Sequence, residues 1–308
     1  MKPFDCPTRQ AALLRQAAML VVAVTMWCPV VWGQARFGEP IYRVARESAP
    51  GDSAPVTPVA VTTAAAPFDF TQRPGEHPLA PFIRVAKGSL HEFDHNIRDY
   101  SCTFIKRERI DGELGDYQHI FMKVRSQPFS VYMRFLQPFP GREVLYVNGQ
   151  NDGELLVLES GWKRRLLGRL QLDPEGAVAM RGQRYPITRV GIRNLTAELV
   201  RVAESDLQYA ECDVTVRPDM KVNGRLTTMV QIVHPNQHPE FHSFTSRVFF
   251  DNELKVPIHY DSFLWPAKPG EQPPLDASYT YSDLKINNNF TARDFDPDNN
   301  PDIFKTSE

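Results

Sequence analysis

Residues 127–159 read "QPFSVYMRFLQPFPGREVLYVNGQNDGELLVLE". Along the first part, Phe129, Val131, Met133 and Phe135 fall on one face of an extended chain. Ser130, Tyr132 and Arg134 fall on the other. Alternation of period two predicts a half-buried antiparallel strand. Turn chemistry follows twice, as "PFPG" at 138–141 and "NGQNDG" at 148–153, so the chain folds back on itself. The apolar face either feeds a solid core or lines a cavity, and periodicity does not separate the two.

The same period continues on both sides. Strands are predicted at 100–110, 117–125, 129–136, 143–148 and 154–159, then at 209–217, 226–234, 244–251, 257–263 and 276–286. Before the first strand, Phe82, Ala86, Leu90, Phe93 and Ile97 step by three and four, which predicts an amphipathic helix over 81–97. Leu195, Leu199 and Val202 predict a second over 194–204, and 160–193 reads as short helices and loops. The sum is an α+β domain over 81–298: an antiparallel sheet of about ten strands with two or three helices. A polar tail at 299–308 is expected to fray.

The N-terminus reads differently. Lys2, Arg9 and Arg15 precede a long apolar run closed by Gly33 and Ala35. Residues 1–33 are therefore expected to be a secretory signal peptide, with an uncleaved anchor as the alternative. Export to the periplasm or cell envelope follows. Residues 34–80 contain "SAPGDSAPVTPVAVTTAAAP" and are expected to form a flexible Pro/Ala-rich linker. Cys102 and Cys212 are the cysteines left after cleavage. An oxidising compartment permits a disulfide between them, and two buried free thiols fit equally well.

The chain is 42% hydrophobic and 23% charged with a formal net charge of −2, an ordinary globular balance that gives no support for nucleic-acid binding as its main task. "HEFDH" at 91–95 matches the H-E-x-x-H zinc pattern. On a 3.6-residue wheel with Leu90 at 0°, His91, Glu92 and His95 lie at about 100°, 200° and 140°, away from the apolar stripe. The motif thus faces solvent, and a zinc hydrolase is only a remote alternative. In "HPNQHPEFH", Pro235 and Pro239 keep His234, His238 and His242 off a common helical face. No nucleophile elbow or phosphate loop is present, so neither a catalytic set nor a cofactor is expected. Residues 160–201 hold nine lysines and arginines against three acids, a candidate contact for a membrane surface or an envelope protein.

Three segments carry a resemblance: "YSCTFIKRERIDGELG", "KVRSQPFSVYMRF" and "GREVLYVNGQNDGELL". They resemble a family of exported proteins from planctomycete-type bacteria, a domain of unknown function, which in turn looks like the LolA/LolB lipoprotein-carrier superfamily. The matching positions are Tyr100 and Phe104, then Pro128, Phe129 and Tyr132, then Val147 to Leu155. "DNELKVPIHYDSF" and "YTYSDLKINNNF" are similar to that superfamily's closing strands. The resemblance implies a strongly curved sheet, an incomplete β-barrel covered by helices, whose apolar interior receives acyl chains. Two positions depart from the carriers. Their basic residue before the Pro-aromatic strand falls at Ser126–Gln127, and the glutamine ending their first strand is Lys106.

These readings lead to an exported, non-enzymatic protein that binds a lipid or a lipoprotein acyl chain. The expected cavity wall is Phe104, Phe129, Val131, Met133, Phe135 and Leu145. Val144, Tyr146, Leu156 and Leu158 are harder to assign, because both faces of their strands are apolar. The alternative is an envelope sensor or scaffold that recognises a protein partner.

Overall fold

A computed structural model of the chain describes residues 42–44, 67–209 and 212–304, all within the unit Phe37–Glu308. The expected signal peptide lies outside the described residues. Their strands are β1 (Tyr42–Val44), β2 (Asp99–Ile110), β3 (Glu113–Leu114), β4 (Gln118–Arg125), β5 (Ser130–Gln137), β6 (Glu143–Val147), β7 (Leu155–Leu158), β8 (Arg169–Leu172), β9 (Asp213–Val222), β10 (Arg225–Val233), β11 (Thr245–Asp251), β12 (Pro257–Phe263) and β13 (Leu275–Ile286). Helices are α1 (Ala80–Asn96), α2 (Trp162–Leu167) and α3 (Ile192–Asp206).

Twelve strands form one open, curved antiparallel sheet in the order β1-β9-β10-β11-β12-β13-β2-β4-β5-β6-β7-β8, and β3 pairs only with β2. The order follows from the turns. Each short joint makes a hairpin, so β2 to β8 form one meander and β9 to β13 another. β13 then pairs with β2 and joins them. Register shifts at Thr227/Met229, Phe249/Phe250, Ser262/Phe263, Ser282/Lys285 and His119/Ile120 bend the strands where an extra residue breaks the ladder. The expected ten strands are all present. The additional ones are β1, β3 and β8, pieces of two to four residues too short to show a period.

Each meander is preceded by a helix. Phe82, Ile83 and Ala86 of α1 and Val200 and Ala203 of α3 bury together against Val230, Ile232, Val248 and Phe250. α3 begins at a tight place. Tyr100 Oη accepts a hydrogen bond from the Ile192 N–H at 3.0 Å. A Cβ on Gly191, which has φ of +113°, would stand 2.9 Å from that oxygen. Gly191→Ala is therefore expected to lower stability by about 2 kcal/mol, read as a lower urea midpoint. An unchanged midpoint would mean that the helix start shifts freely.

Three expectations need correction. β5 is not half-buried: every residue from Ser130 to Met133 is buried, as is Phe135, and only Arg134 is exposed. The reason is the C-terminal segment. Phe295, Ile303 and Phe304 pack on Tyr132, Leu145, Val147, Leu156 and Leu158, covering the sheet's outer face. The tail through Phe304 is thus docked, not frayed. The stretch 34–80 is also not all linker. Tyr42–Val44 pairs with β9, and Phe68 and Phe70 lie 5.5 and 6.3 Å from the Phe250 ring. Of the two alternatives for Cys102 and Cys212, the structure has the buried free thiols, which lie in separate apolar clusters.

Candidate functional site

The inner face of the sheet carries two apolar rows that cross strand boundaries. Register places Phe104 beside Ile120 and Ile120 beside Phe135. It also aligns Met122, Met133, Val144, Val157 and Leu170 across β4 to β8. Facing them are α3 and the loop before it. The space between is a cavity of about 1160 Å³, lined by Phe104, Ile120, Met133, Phe135, Val144, Leu155, Val157, Leu170 and Leu172 on the sheet. Ile187, Leu195 and Leu199 line it from the covering side.

Of the six expected wall residues, the structure brings Phe104, Met133 and Phe135 to this cavity. Val131 is fully buried in the same apolar cluster without lining the space. Phe129 lies 6.3 Å from the Tyr146 ring and faces a second, more polar cleft. Leu145 is a correction. It pairs with Tyr132 and Leu156, which puts it on the outer face under the C-terminal segment. Val144, Leu155 and Val157 replace it. The alternation of β5 extended through the β6 and β7 register would have selected them. Leu170 and Leu172 carried no comparable signal, because β8 spans only four residues.

Charged groups interrupt the apolar wall, and two buried sets stand out. Lys106 and Glu108 are both buried. Lys106 Nζ donates to Glu108 Oε2 at 2.9 Å and to Gln183 Oε1 at 2.6 Å. Tyr279 Oη donates to Glu108 Oε1 at 2.7 Å. Burial, and next the adjacent Glu108 charge, push the Tyr279 phenol well above its ordinary range. Arg184 beside them forms a bidentate pair with Asp276, both contacts at 2.7 Å. Those hydrogen bonds raise its pKa despite its burial.

A different polar spot on the lining is Asp206 with His234. Burial raises the Asp206 pKa and lowers that of His234. The two groups therefore move toward their neutral forms, with Asp206 Oδ2 and His234 Nε2 3.5 Å apart. His234 Nδ1 stands 3.1 Å from the Ser243 carbonyl oxygen, and its ring stacks on Phe241. His238 instead packs on Tyr209, and His242 is exposed, so the three histidines diverge. His91 and His95 lie exposed on α1 with ring centroids 4.0 Å apart. Among the described residues no three His, Cys, Asp or Glu side chains are grouped as a metal would need.

The basic stretch 160–201 does not form one patch. Arg164, Arg169, Arg184, Arg193 and Arg201 pair with Glu143, Asp298, Asp276, Asp94 and Glu198. The two thiols are inert by burial, which pushes Cys102 far up and Cys212 to about 11.

The chain belongs to the family described as "Protein of unknown function (DUF1571)", whose model matches residues 97–304. Among solved structures it is similar to MucB, at 15% identity and TM-score 0.40 over 70% of this chain and 62% of that one. It thus spans less than two thirds of the MucB chain. It is also similar to a putative outer membrane lipoprotein-sorting protein domain from Vibrio parahaemolyticus, at 11% identity and TM-score 0.33 over 70% and 96%. A LolA superfamily protein from Nitrosomonas europaea is similar at 10% identity and TM-score 0.29 over 69% and 98%. No curated protein matches the chain in sequence.

Proposed function

We propose that this chain is an exported, non-enzymatic protein of the cell envelope that holds a lipid or a lipoprotein acyl chain in its cavity. One observation carries the reading: about 1160 Å³ of space whose sheet side is walled by aligned apolar side chains, with charged groups around the remainder. Protein interiors normally pack as densely as organic crystals, with few voids larger than a water molecule. A cleft somewhat larger than the usual small-molecule pocket has room for a ligand of this class.

The mechanism is burial. Each CH₂ moved from water onto Phe104, Met133, Phe135 and Val157 gains about 0.8 kcal/mol. The Lys106–Glu108 and Arg184–Asp276 groups interrupt that wall and fix where a polar head can rest. They are already paired, so they orient a ligand more than they attract one. No cofactor is needed. The resemblance of residues 82–298 to lipoprotein carriers, noted from the sequence, supports the same class of ligand.

Native mass spectrometry of protein purified from its own envelope tests the reading. The expected result is a copurified lipid or lipoprotein mass, with binding of a fluorescent fatty-acid probe after delipidation. Val144→Trp projects an indole into the cavity and is expected to weaken the probe at least about tenfold while the circular dichroism stays native. An empty protein that also ignores the probe would sink the proposal. A scaffold that binds a protein partner would be indifferent to Val144→Trp, which separates the alternatives.

A further inference from the structure

The β7–β8 connection holds α2, a helix of six residues between Gly161 and Gly168, each with φ of +60°. None of its residues is buried. Trp162 is 71% exposed, Leu166 70% and Leu167 45%. Trp162 and Leu166 are neighbours at spacing four. Arg164 ties α2 to the β5–β6 turn, donating to the Gly141 carbonyl at 3.2 Å and to Glu143 Oε1 at 2.8 Å. That turn presents Phe139, which is 46% exposed. Phe139 and Lys163 also line the cavity, so the exposed apolar group sits at its margin.

Single exposed apolar residues are ordinary, whereas a contiguous group marks a contact surface. The charges around this group narrow the contact. Arg142 and Arg164 are each paired with a glutamate. Lys163 and Arg165 are not in any ion pair among the described residues, and both are exposed. Indole and leucine side chains flanked by uncompensated cations match the boundary between acyl chains and anionic headgroups.

We propose that α2 docks the protein on an anionic bilayer, with Trp162, Leu166 and Leu167 entering the interface and Lys163 and Arg165 contacting lipid phosphates. The docking deepens the cavity reading, because it sets the cavity margin against the source of its ligand.

Flotation of the purified chain from residue 34 tests it, using phosphatidylcholine vesicles with and without phosphatidylglycerol. The chain is expected to float with the phosphatidylglycerol vesicles, and added salt is expected to release it. Trp162→Ser/Leu166→Ser and, separately, Lys163→Glu/Arg165→Glu are expected to reduce the floated fraction at least about tenfold. The Trp162→Ser/Leu166→Ser protein is expected to keep its fatty-acid probe binding. Thus loss of docking and loss of the cavity reading remain distinguishable. No flotation by the parent chain, or flotation unchanged in both variants, overturns the proposal. Self-association of the parent chain that Trp162→Ser/Leu166→Ser abolishes, without vesicle binding, also overturns it and assigns the surface to a second copy.

Discussion

Glu143→Ala is expected to cost about 3–5 kcal/mol, a large share of the stability of an ordinary domain. Glu143 is buried at the start of β6 and faces outward with Tyr132 and Leu158. Its carboxylate accepts from three donors on three elements. Tyr132 Oη of β5 donates at 2.8 Å, Arg164 Nη2 of α2 at 2.8 Å, and the Phe304 N–H of the C-terminal segment completes the set. Alanine leaves the largely buried Arg164 guanidinium without its counter-charge, and strands a buried hydroxyl and a buried amide. Breaking a buried pair by removing one partner is the costly way to lose it. Urea unfolding measures the loss. Limited proteolysis adds a second reading, since residues 296–304 lose an anchor and are expected to be clipped sooner. Glu143→Gln, which keeps an acceptor, is expected to lose clearly less than Glu143→Ala. A Glu143→Ala protein within 1 kcal/mol of the parent, and equally resistant to protease, would show that the tail is held by Phe295, Ile303 and Phe304 alone.

That carboxylate also explains part of what the sequence hid. The succession of strands along the chain and both long helices are legible, because turn residues and apolar spacing are local signals; the pairing of β13 with β2 is not. The stripe of Leu195, Leu199 and Val202 places α3 two residues short at each end; at its start Ile192 and Arg193 join the helix, where the Ile192 N–H is held by distant Tyr100. Which face of β6 and β7 points inward was not legible. Val144 and Leu145 are both apolar because both faces are covered, one by the cavity's apolar lining and one by a tail 150 residues away in sequence. The tail looked polar because the two residues that dock, Ile303 and Phe304, are a minority in "DPDNNPDIFKTSE". Within the wall, parity puts Met133 and Phe135 on one face together with Phe129 and Val131, and does not tell which of the four reach the cavity. Leu145 was misplaced because parity restarts at each turn, and only the Met133–Val144 pairing fixes it. The basic stretch is only partly legible for a related reason. Sequence counts charges on one segment, whereas their partners Glu143, Asp276, Asp298 and Asp94 come from elsewhere in the chain.

Lys106→Met is expected to be comparably damaging, at about 3–5 kcal/mol, for a reason that bears on the cavity. Lys106 occupies the position where lipoprotein carriers, by the resemblance, place a glutamine. A neutral amide there would leave Glu108 with no counter-charge in its contacts. Here the ammonium answers the Glu108 carboxylate at 2.9 Å, with both side chains nine-tenths or more buried. Methionine matches the length of the lysine stem and keeps its apolar contacts, so the loss reports the charge. Tyr279 still donates to Glu108, but a phenol cannot neutralise a carboxylate. The neighbouring Arg184 is committed to Asp276 by two short contacts and is not free to replace the ammonium. Lys106→Met/Glu108→Gln removes both charges together and is expected to regain at least about 2 kcal/mol of what Lys106→Met loses. Urea midpoints of the two single variants and the double variant close the cycle. The same proteins give a functional reading: in the double variant a neutral wall costs less to desolvate, so fatty-acid probe affinity is expected to hold or rise. A Lys106→Met protein as stable as the parent would mean that Glu108 is not charged in the fold. The polar interruption of the cavity wall would then be neutral, and would place no constraint on the head of a bound ligand.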